Sequence, residues 1–431
     1  MRLRRIGPSV DPRPAGRRLR VLAVSWVFPN HVQPVHGPFV LARMRALAKH
    51  ADIRVLAPIP WIPLGHRLSP ATRPSVEPVE TVEGLTTYHP RYLQLPYGPH
   101  APDALAYYLA IRRLAERIRS DFPFDLIDAH FVYPDGTAAE MLGGALNIPV
   151  VITLRGVLAP FIRRRSIRPR ILRGLEGATR ILSVSQSLKD TAVAHGTPER
   201  KITVASNGVD ADRFRPIPRA EARREVGITT DGPVLISVGH LTPRKGFHRL
   251  IGLLPRLLER IPDLLLVIVG GGTYMVKERG RLERLAGDLG VGDHVSFAGS
   301  QPNDRVPTWL SAADVFCLWT LGEGWANVFL EAMACGLPVV TTRRGGNPEV
   351  VASDAVGYLV DHDDSDAMLE RLTEALRREW DGVAIRDYAL AHSWDRTAET
   401  VLSVWHDAIE DGISRGSRPG TGTGSATADP S

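Results

Sequence analysis

Short runs of β-branched and apolar residues alternate with amphipathic stretches along this 431-residue chain, and the whole alternation occurs twice. The first half has predicted strands at 20–28, 86–92, 126–130 and 150–154, and the second half starts again at 234–239 and 315–320. Such alternation predicts parallel strands joined by crossover helices. Because the chain is too long for one core, the sequence predicts two doubly wound α/β domains.

The chain divides into five segments by composition and pattern. The change of domain is predicted between Asn207 and Gly232, a stretch that contains Pro216 and Pro218. The Gly/Ser/Thr/Pro-rich end of the chain cannot build a core. The predicted segments are a disordered basic arm (1–18), a first Rossmann-like domain (19–210), a second Rossmann-like domain (211–392), a C-terminal helix (393–411) and a disordered tail (412–431).

Composition favours a soluble, cytoplasmic protein. Apolar residues make up 44% of the chain, yet no apolar run approaches the ~20 residues needed to cross a bilayer. The arginines near the start are followed by the first strand rather than by an apolar segment, so no signal peptide is expected. The two cysteines, Cys317 and Cys335, lack metal-ligand spacing and suit buried thiols in a reducing compartment.

Basic residues are concentrated in two places, although the net charge is only +6. One is the first twenty residues, and the other is the segment 163–173, which holds six arginines. Clusters of this kind suit phosphate, anionic lipid or nucleic acid. Neither has the interleaved aromatic residues or the motif of a nucleic-acid-binding protein, so no nucleic-acid partner is predicted. An anionic membrane surface or anionic acceptor is the functional hypothesis for 163–173, and a solvated helix face is the alternative.

The run from Gly322 to Val340 carries the most specific chemistry. Glu323 lies in a glycine-rich loop, and Glu331 lies eight positions later on a short predicted helix, 328–335, with Asn327 as its cap. The N-terminus of a helix offers free N–H groups and a partial positive charge to an anion. Carboxylates on either side of such an anion site suit a nucleotide-sugar, which is anionic in the middle and carries hydroxyls at both ends. The alternative is an ordinary helix with two solvated acids.

This run resembles the E-x7-E signature of the retaining glycosyltransferases of family 4, including the A-M-A-x-G-x-P-V-V string that follows it. The resemblance implies the GT-B fold, in which two Rossmann-like domains face each other across a cleft and the C-terminal helix packs back on the first. It also implies that Glu323 contacts the donor sugar and that Glu331 binds the nucleotide ribose. The residues predicted to surround the donor between these two carboxylates are Trp325, Ala326, Asn327 and Val328.

A basic loop, Gly239 to Gly246, follows an apolar strand and opens a helix. It is similar to the family's strand–loop–K-G element, which implies that Arg244 and Lys245 neutralise the donor diphosphate. Many family members carry Arg where this chain has His240. Two cations and a helix terminus provide the positive charge that a leaving diphosphate needs. The sequence therefore predicts no metal ion and no cofactor, and the nucleotide-diphosphate-sugar is a co-substrate.

Three residues of the first domain follow its predicted strands. Gly37, between the first strand and a helix, resembles the family's glycine loop and is predicted to let the backbone approach the donor phosphate. His130 and Arg155 end two adjacent strands, and they are predicted to take part in catalysis at the sheet edge where such sheets bind ligands. The strings around them resemble the family-4 branch that includes the teichuronic-acid glycosyltransferases.

Taken with the resemblance, these features predict a retaining glycosyltransferase. The second domain would bind a nucleotide-diphosphate-sugar, and the first would bind a glycan or lipid-linked acceptor of cell-envelope or exopolysaccharide type, at the inner face of the plasma membrane. A nucleotide-sugar epimerase or hydrolase of the same architecture is the alternative. A non-catalytic binding subunit is a third hypothesis, but the presence of Glu323, Glu331, Arg244 and Lys245 argues against it.

Overall fold

A computed structural model describes residues 17–62, 76–94, 103–156, 158–271 and 278–416, with side chains to residue 414. Most of the predicted basic arm and the tail beyond residue 416 lie outside this part of the chain. The strands are β1 (Leu19–Val24), β2 (Ala51–Leu56), β3 (Ile59–Trp61), β4 (Val79–Val82), β5 (Leu85–Tyr88), β6 (Arg91–Leu93), β7 (Leu126–His130), β8 (Val150–Leu154), β9 (Arg180–Ser183), β10 (Ile202–Val204), β11 (Val234–Val238), β12 (Leu265–Val269), β13 (Val295–Gly299), β14 (Val315–Leu318), β15 (Val339–Thr342) and β16 (Gly357–Val360). The helices are α1 (Pro38–Ala48), α2 (Asp103–Asp121), α3 (Thr137–Leu146), α4 (Leu158–Ile162), α5 (Arg168–Gly177), α6 (Gln186–Ala194), α7 (Arg219–Val226), α8 (Phe247–Arg260), α9 (Glu278–Asp288), α10 (Val306–Ser311), α11 (Asn327–Ala334), α12 (Asn347–Val350), α13 (Ser365–Arg377), α14 (Gly382–Leu390) and α15 (Trp394–Gly416).

The first domain is an eight-stranded sheet in the order β10-β9-β8-β7-β1-β2-β5-β4. All its pairings are parallel except that of β4 with β5. Strands β7 and β8 are buried along their whole length, as expected for a sheet covered by helices on both faces. From β1 the chain moves first towards β2 and later, through β7, in the opposite direction. The switch point of this sheet therefore lies between β1 and β7.

The second domain is a six-stranded parallel sheet in the order β13-β12-β11-β14-β15-β16. Here the order reverses between β11 and β14. The carboxyl ends of strands at a reversal diverge, because their crossover helices lie on opposite faces, and this leaves a crevice for a ligand. The two sheets confirm the predicted α/β class with two doubly wound domains.

The last helix, α15, joins the core of the first domain although it follows the second in sequence. Five of its side chains are buried against strands and helices of the first domain: Ala398, Val401, Val404, Trp405 and Ala408. The helix runs to Gly416, five residues beyond the predicted end. The chain therefore crosses between the domains twice, once after β10 and once before α15.

Two local predictions were wrong. The predicted strand 86–92 is two strands, β5 and β6, which are separated at His89 and Pro90 and belong to different sheets. An antiparallel hairpin closes the sheet edge through Glu83 and Gly84, both with positive φ, as the favoured two-residue hairpin turns require. Asn327 is the first residue of α11 and not its cap, because Ala326 takes the cap position and contributes no side-chain cap.

The burial of Trp405 yields a test of the returning helix. Trp405 has no exposed surface, so Trp405→Ala should cost about 3–5 kcal/mol and lower the thermal midpoint of the first domain by about 10 °C. Asp407→Ala, at an exposed position of the same helix, should leave the midpoint within about 1 °C. Equal midpoints for the two variants in scanning calorimetry would mean that α15 does not stabilise the first domain.

Candidate functional site

Two loops meet at the switch point of the second sheet. The basic loop leaves β11 and makes a single turn of 3-10 helix over Pro243–Lys245 before α8 begins. Gly246 then passes so close to the end of β14 that an added Cβ would lie 1.9 Å from the carbonyl oxygen of Trp319. The Leu321 N–H donates to the carbonyl of Arg244 at 2.9 Å. These backbone contacts bring the basic loop beside the loop that carries Glu323.

The carboxylate of Glu323 is held by both predicted cations. Its Oε1 lies 2.8 Å from Nη1 of Arg244 and 2.9 Å from Nζ of Lys245, and it accepts a hydrogen bond of 3.0 Å from the hydroxyl of Thr320. Burial acts to raise the pKa of Glu323, but Lys245 and Arg244 outweigh it and hold the pKa below its usual value. Glu323 is therefore ionised at pH 7, and the three groups together carry one net positive charge.

Glu331 lies one turn into α11, where its environment differs from that of Glu323. Burial raises the pKa of Glu331 to about 7, and the charges of Arg213 and Lys245 only partly oppose this. The two carboxylates of the E-x7-E pattern thus have different proton affinities. The charge of Lys245 lowers the pKa of both carboxylates, so this side chain lies near each of them.

The four residues between the carboxylates occupy different environments. Trp325 is half-buried and packs against the cores of both domains. Ala326 is buried, whereas Val328 is half-buried against the core of the second domain. The side chain of Asn327 accepts a hydrogen bond of 2.9 Å from Nδ2 of Asn207, which belongs to the segment between the domains. This contact explains why Asn327 does not cap its own helix.

The glycine loop of the first domain faces the basic loop of the second. Gly37 has φ of 79°, and an added Cβ would lie 2.5 Å from the carbonyl oxygen of Val27, so the turn itself requires glycine. Burial and the neighbouring charge of His240 lower the pKa of His36. The interaction of these two histidines, which come from different domains, places Gly37 on the cleft side of its domain.

His130 and Arg155 are in direct contact beneath the cleft. Nη2 of Arg155 donates to Nδ1 of His130 at 3.0 Å, and Nε2 of the same ring faces Asp128 at 3.5 Å. Burial, with Arg155 and Arg43, lowers the pKa of His130, so the ring is neutral at pH 7. Because a guanidinium only donates, the proton of the neutral ring is on Nε2. His130 has no exposed surface, so in this geometry it acts on a ligand only through Arg155.

Positive charge is buried around this pair. Arg43 has no exposed surface, and Arg155 is only 3% exposed, with its guanidinium 4.9 Å from the ring centre of Phe39. Among the described residues, Asp128 is the acidic side chain whose charge acts on both arginines, and burial raises its pKa to about 6 against their effect. Two guanidiniums therefore share at most one carboxylate. Such an excess of buried positive charge favours an anion close to it.

The two domains meet at a point close to the candidate site. A Cβ added to Gly324 would lie 2.7 Å from Cα of Gly156, so the loop of Glu323 packs directly on the residue that follows Arg155. Nearby, the carboxylate of Glu349 accepts hydrogen bonds from the N–H groups of Gln186 and Ser187 at 2.6 and 3.0 Å. A side chain of the second domain thus caps α6 of the first.

The structure brings together the predicted residues of the second domain and adds three that were missed. Glu323, Arg244 and Lys245 form one ion cluster, with Glu331 next to it. The missed residues are Asn207, Arg213 and Glu349, the last of which caps α6. An Asn-Gly pair at 207–208 reads as a turn in sequence, and an arginine in a linker reads as solvated. Their contacts cross between segments far apart in the chain, which no local pattern shows.

Two family models match the chain. Residues 63–213 match the model described as Glycosyltransferase Family 4, and residues 218–399 match the model described as Glycosyl transferases group 1. The boundary between the two matches lies where the chain passes from the first sheet to the second. In the part of the chain that the structure describes, no helix is both long and apolar enough to cross a membrane.

Two curated relatives and one solved structure illustrate the similarity. A GDP-mannose-dependent alpha-(1-6)-phosphatidylinositol monomannoside mannosyltransferase of Mycolicibacterium smegmatis is 44% identical over 195 residues, which is 42% of this chain and 50% of the relative, so this match spans half of that protein. A D-inositol 3-phosphate glycosyltransferase of Kribbella flavida is 31% identical over 318 residues, 69% of this chain and 74% of the relative. The structure of Anabaena Alr3699/HepE in complex with UDP-glucose shares the fold, with a TM-score of 0.64, 18% identity and coverage of 92% of this chain and 100% of that one.

These matches agree with the two switch-point loops and with the ion cluster around Glu323. The relatives are named for mannosyl and inositol phosphate glycosyl transfer, so the teichuronic-acid branch stays a prediction. The match covers 74% of the inositol phosphate glycosyltransferase at 31% identity, and both family models match as well. The chain therefore belongs to the glycosyltransferases of family 4, with the GT-B fold.

Proposed function

We propose that this protein is a retaining glycosyltransferase that moves a sugar from a nucleotide-diphosphate-sugar to a glycan or lipid-linked acceptor of the cell envelope. The observation that carries the proposal is the ion cluster of Glu323, Arg244 and Lys245 at the switch point of the second sheet. It combines hydroxyl-binding and phosphate-binding groups at the sheet edge where a nucleotide binds in such folds. Glu331, on the adjacent helix, would accept hydrogen bonds from the ribose.

The charge of the cluster supports a diphosphate as the ligand. The carboxylate of Glu323 neutralises only one of the two cations. A diphosphate would supply the missing negative charge, and it would leave Glu323 free to accept hydrogen bonds from the sugar. Positive charge placed before the reaction stabilises the negative charge that develops on the leaving group. We therefore propose that the two side chains, and not a metal ion, neutralise the departing diphosphate.

The proposed chemistry retains the configuration of the sugar. The acceptor hydroxyl attacks the face that the diphosphate leaves, its oxygen forms the new glycosidic bond, and its proton passes to the departing phosphate oxygen. Arg155 lies next to the Glu323 loop and would stabilise charge at the donor, with His130 orienting it. The related proteins are named as transferases, which does not favour an epimerase or hydrolase.

The proposed acceptor carries a phosphate and approaches from the first domain. The names of both relatives specify phosphate-containing inositol compounds as substrates. In this chain the arginines of 163–173 lie on α5 and on the loop that precedes it, and all six are exposed. No ion pair within 4 Å links any of them to a described acidic residue. Ile162, next to this segment, and Ile167 and Ile171 within it belong to the core, so attraction to an anionic membrane would come from charge and not from these aliphatic side chains.

The proposed function is tested with Glu323→Gln and a panel of nucleotide-sugars. Thermal shift identifies the donor, and release of the nucleoside diphosphate measures turnover. NMR gives the anomeric configuration of the product. Glu323→Gln should lower kcat by about 10- to 100-fold, because a charge-assisted hydrogen bond to the sugar is lost. Binding of the nucleoside diphosphate alone should be unchanged or tighter, since both cations lose their internal partner.

The matched control is Glu399→Gln on the exposed face of α15, which should behave like the parent. Near-normal turnover of Glu323→Gln would show that Glu323 does not contact the sugar. Absence of turnover in the parent with every donor would contradict the proposed function, and an inverted product would contradict the retaining mechanism.

Glu331 gives a prediction for pH dependence. Its pKa of about 7 lies above the usual value for glutamate, so the folded protein loses stability as the pH rises through 7 and the buried carboxyl ionises. Glu331→Gln removes this loss. The variant should therefore exceed the parent in thermal midpoint by about 2–4 °C at pH 8, and by much less at pH 5.

The same substitution should weaken nucleoside diphosphate binding about tenfold at pH 8, because the ribose loses a charged acceptor. Calorimetric titration with GDP and UDP measures this effect, again with Glu399→Gln as control. A midpoint difference that is the same at both pH values would mean that Glu331 is not protonated near neutral pH in the folded protein.

The exposed arginines give a test of membrane attachment at the inner face of the plasma membrane. Each basic residue near an anionic surface contributes about 1 kcal/mol, so changing Arg163, Arg164 and Arg165 together to Ser should release the protein from phosphatidylglycerol vesicles at moderate salt. The control changes three arginines of the second domain that each have an acidic partner, Arg256, Arg260 and Arg371. Equal sedimentation of parent and first variant would contradict membrane attachment through this segment.

A further inference from the structure

Asn207 lies where the chain first passes from the first domain to the second. The residues on both sides of it contact the segment before and at the start of α15, where the chain returns to the first domain. The carbonyl of Ser206 accepts a hydrogen bond of 2.9 Å from the hydroxyl of Thr397, and the N–H of Val209 donates to the carbonyl of His392 at 2.9 Å. An added Cβ at Gly208 would lie 2.3 Å from the backbone nitrogen of Trp394. The backbone on both sides of Asn207 is thus fixed against the start of α15.

The side chain of Asn207 is buried, with 3% exposure, and it uses both ends of its amide. Its Oδ1 accepts hydrogen bonds from Nη1 of Arg155 and Nη2 of Arg43, each at 3.2 Å. Its Nδ2 donates to Oδ1 of Asn327 at 2.9 Å. Arginine only donates, so the oxygen of Asn207 must face the arginines and its nitrogen must face Asn327. Only one orientation of the amide satisfies all three contacts.

These contacts join the two halves of the candidate site. Arg155 belongs to the first domain and lies next to the loop of Glu323, while Asn327 is the first residue of α11, the helix that carries Glu331. On the basis of the proposed function, we propose that Asn207 is a positioning residue for glycosyl transfer. It orients Arg155 through its oxygen and ties that orientation to the position of the donor-binding helix through its nitrogen.

The competing explanation is that Asn207 only stabilises the crossing. Thr397→Val serves as the control, because it removes a buried hydrogen bond to the same segment without contacting Arg155 or Asn327. Asn207→Leu should lower kcat by about 10- to 100-fold with the donor that the parent uses, since a misplaced charged group costs rate more than binding. Its affinity for GDP or UDP in calorimetry should change by less than about threefold.

A pair of aspartate substitutions tests the link to Asn327. Asn207→Asp keeps two acceptors for the arginines, and the amide of Asn327 can turn to donate to it. Asn327→Asp likewise keeps an acceptor for Nδ2 of Asn207. Asn207→Asp should therefore retain kcat within about threefold of the parent, whereas Asn327→Asp adds negative charge at a predicted donor-binding residue and should lower kcat by itself. The double variant places two carboxylates against each other, and its kcat should fall by about 10-fold or more beyond the product of the single effects.

The outcomes separate this inference from the proposed function. In one outcome the parent releases nucleoside diphosphate while Asn207→Leu and Thr397→Val have the same kcat. That result would overturn the positioning role and leave the proposed function intact. Multiplicative effects of the two aspartate substitutions would also overturn it. A parent without turnover on any nucleotide-sugar would overturn the proposed function and this role together.

Discussion

The reversal of strand order in each sheet is the constraint on which the site depends. In the first domain it lies between β1 and β7, and in the second between β11 and β14. Crossover helices on opposite faces leave the carboxyl ends of these strands uncovered, so polar loops there meet a crevice and not a packed layer. The glycine loop follows β1 and His130 ends β7 at the first reversal, and Arg155 follows the neighbouring strand, β8. The basic loop and the Glu323 loop end at the second.

Electrostatics gives this crevice its chemical character. The second domain places two cations on one carboxylate, and the first domain buries two guanidiniums with a single aspartate whose pKa is raised by burial. In a buried setting such an excess of positive charge is unfavourable unless an anion completes it. Both domains therefore favour an anionic ligand between them. The two cations keep Glu323 ionised, whereas burial makes Glu331, eight residues later in the chain, bind a proton near neutral pH.

Close backbone packing joins the two domains at the site. Gly324 lies too close to the backbone of Gly156 to carry a side chain, and Glu349 caps a helix of the opposite domain. Asn207 adds a third contact, between the buried arginines and the donor-binding helix. Groups from both domains are thereby held within the short distances that a transfer reaction between two bound substrates requires.

Sequence alone determined the α/β class, the two doubly wound domains, and the elements that carry Glu323, Glu331, Arg244 and Lys245, because these follow from local periodicity and from short motifs. It did not separate β5 from β6. It also made Asn327 a helix cap, since a local rule takes no account of a partner 120 residues away in the chain. The tertiary structure alone decided which charges lie together, which of them are buried, and how Asn207 joins the domains. Pairing, desolvation and proton affinity depend on distances in space, and the order of residues along the chain does not contain those distances.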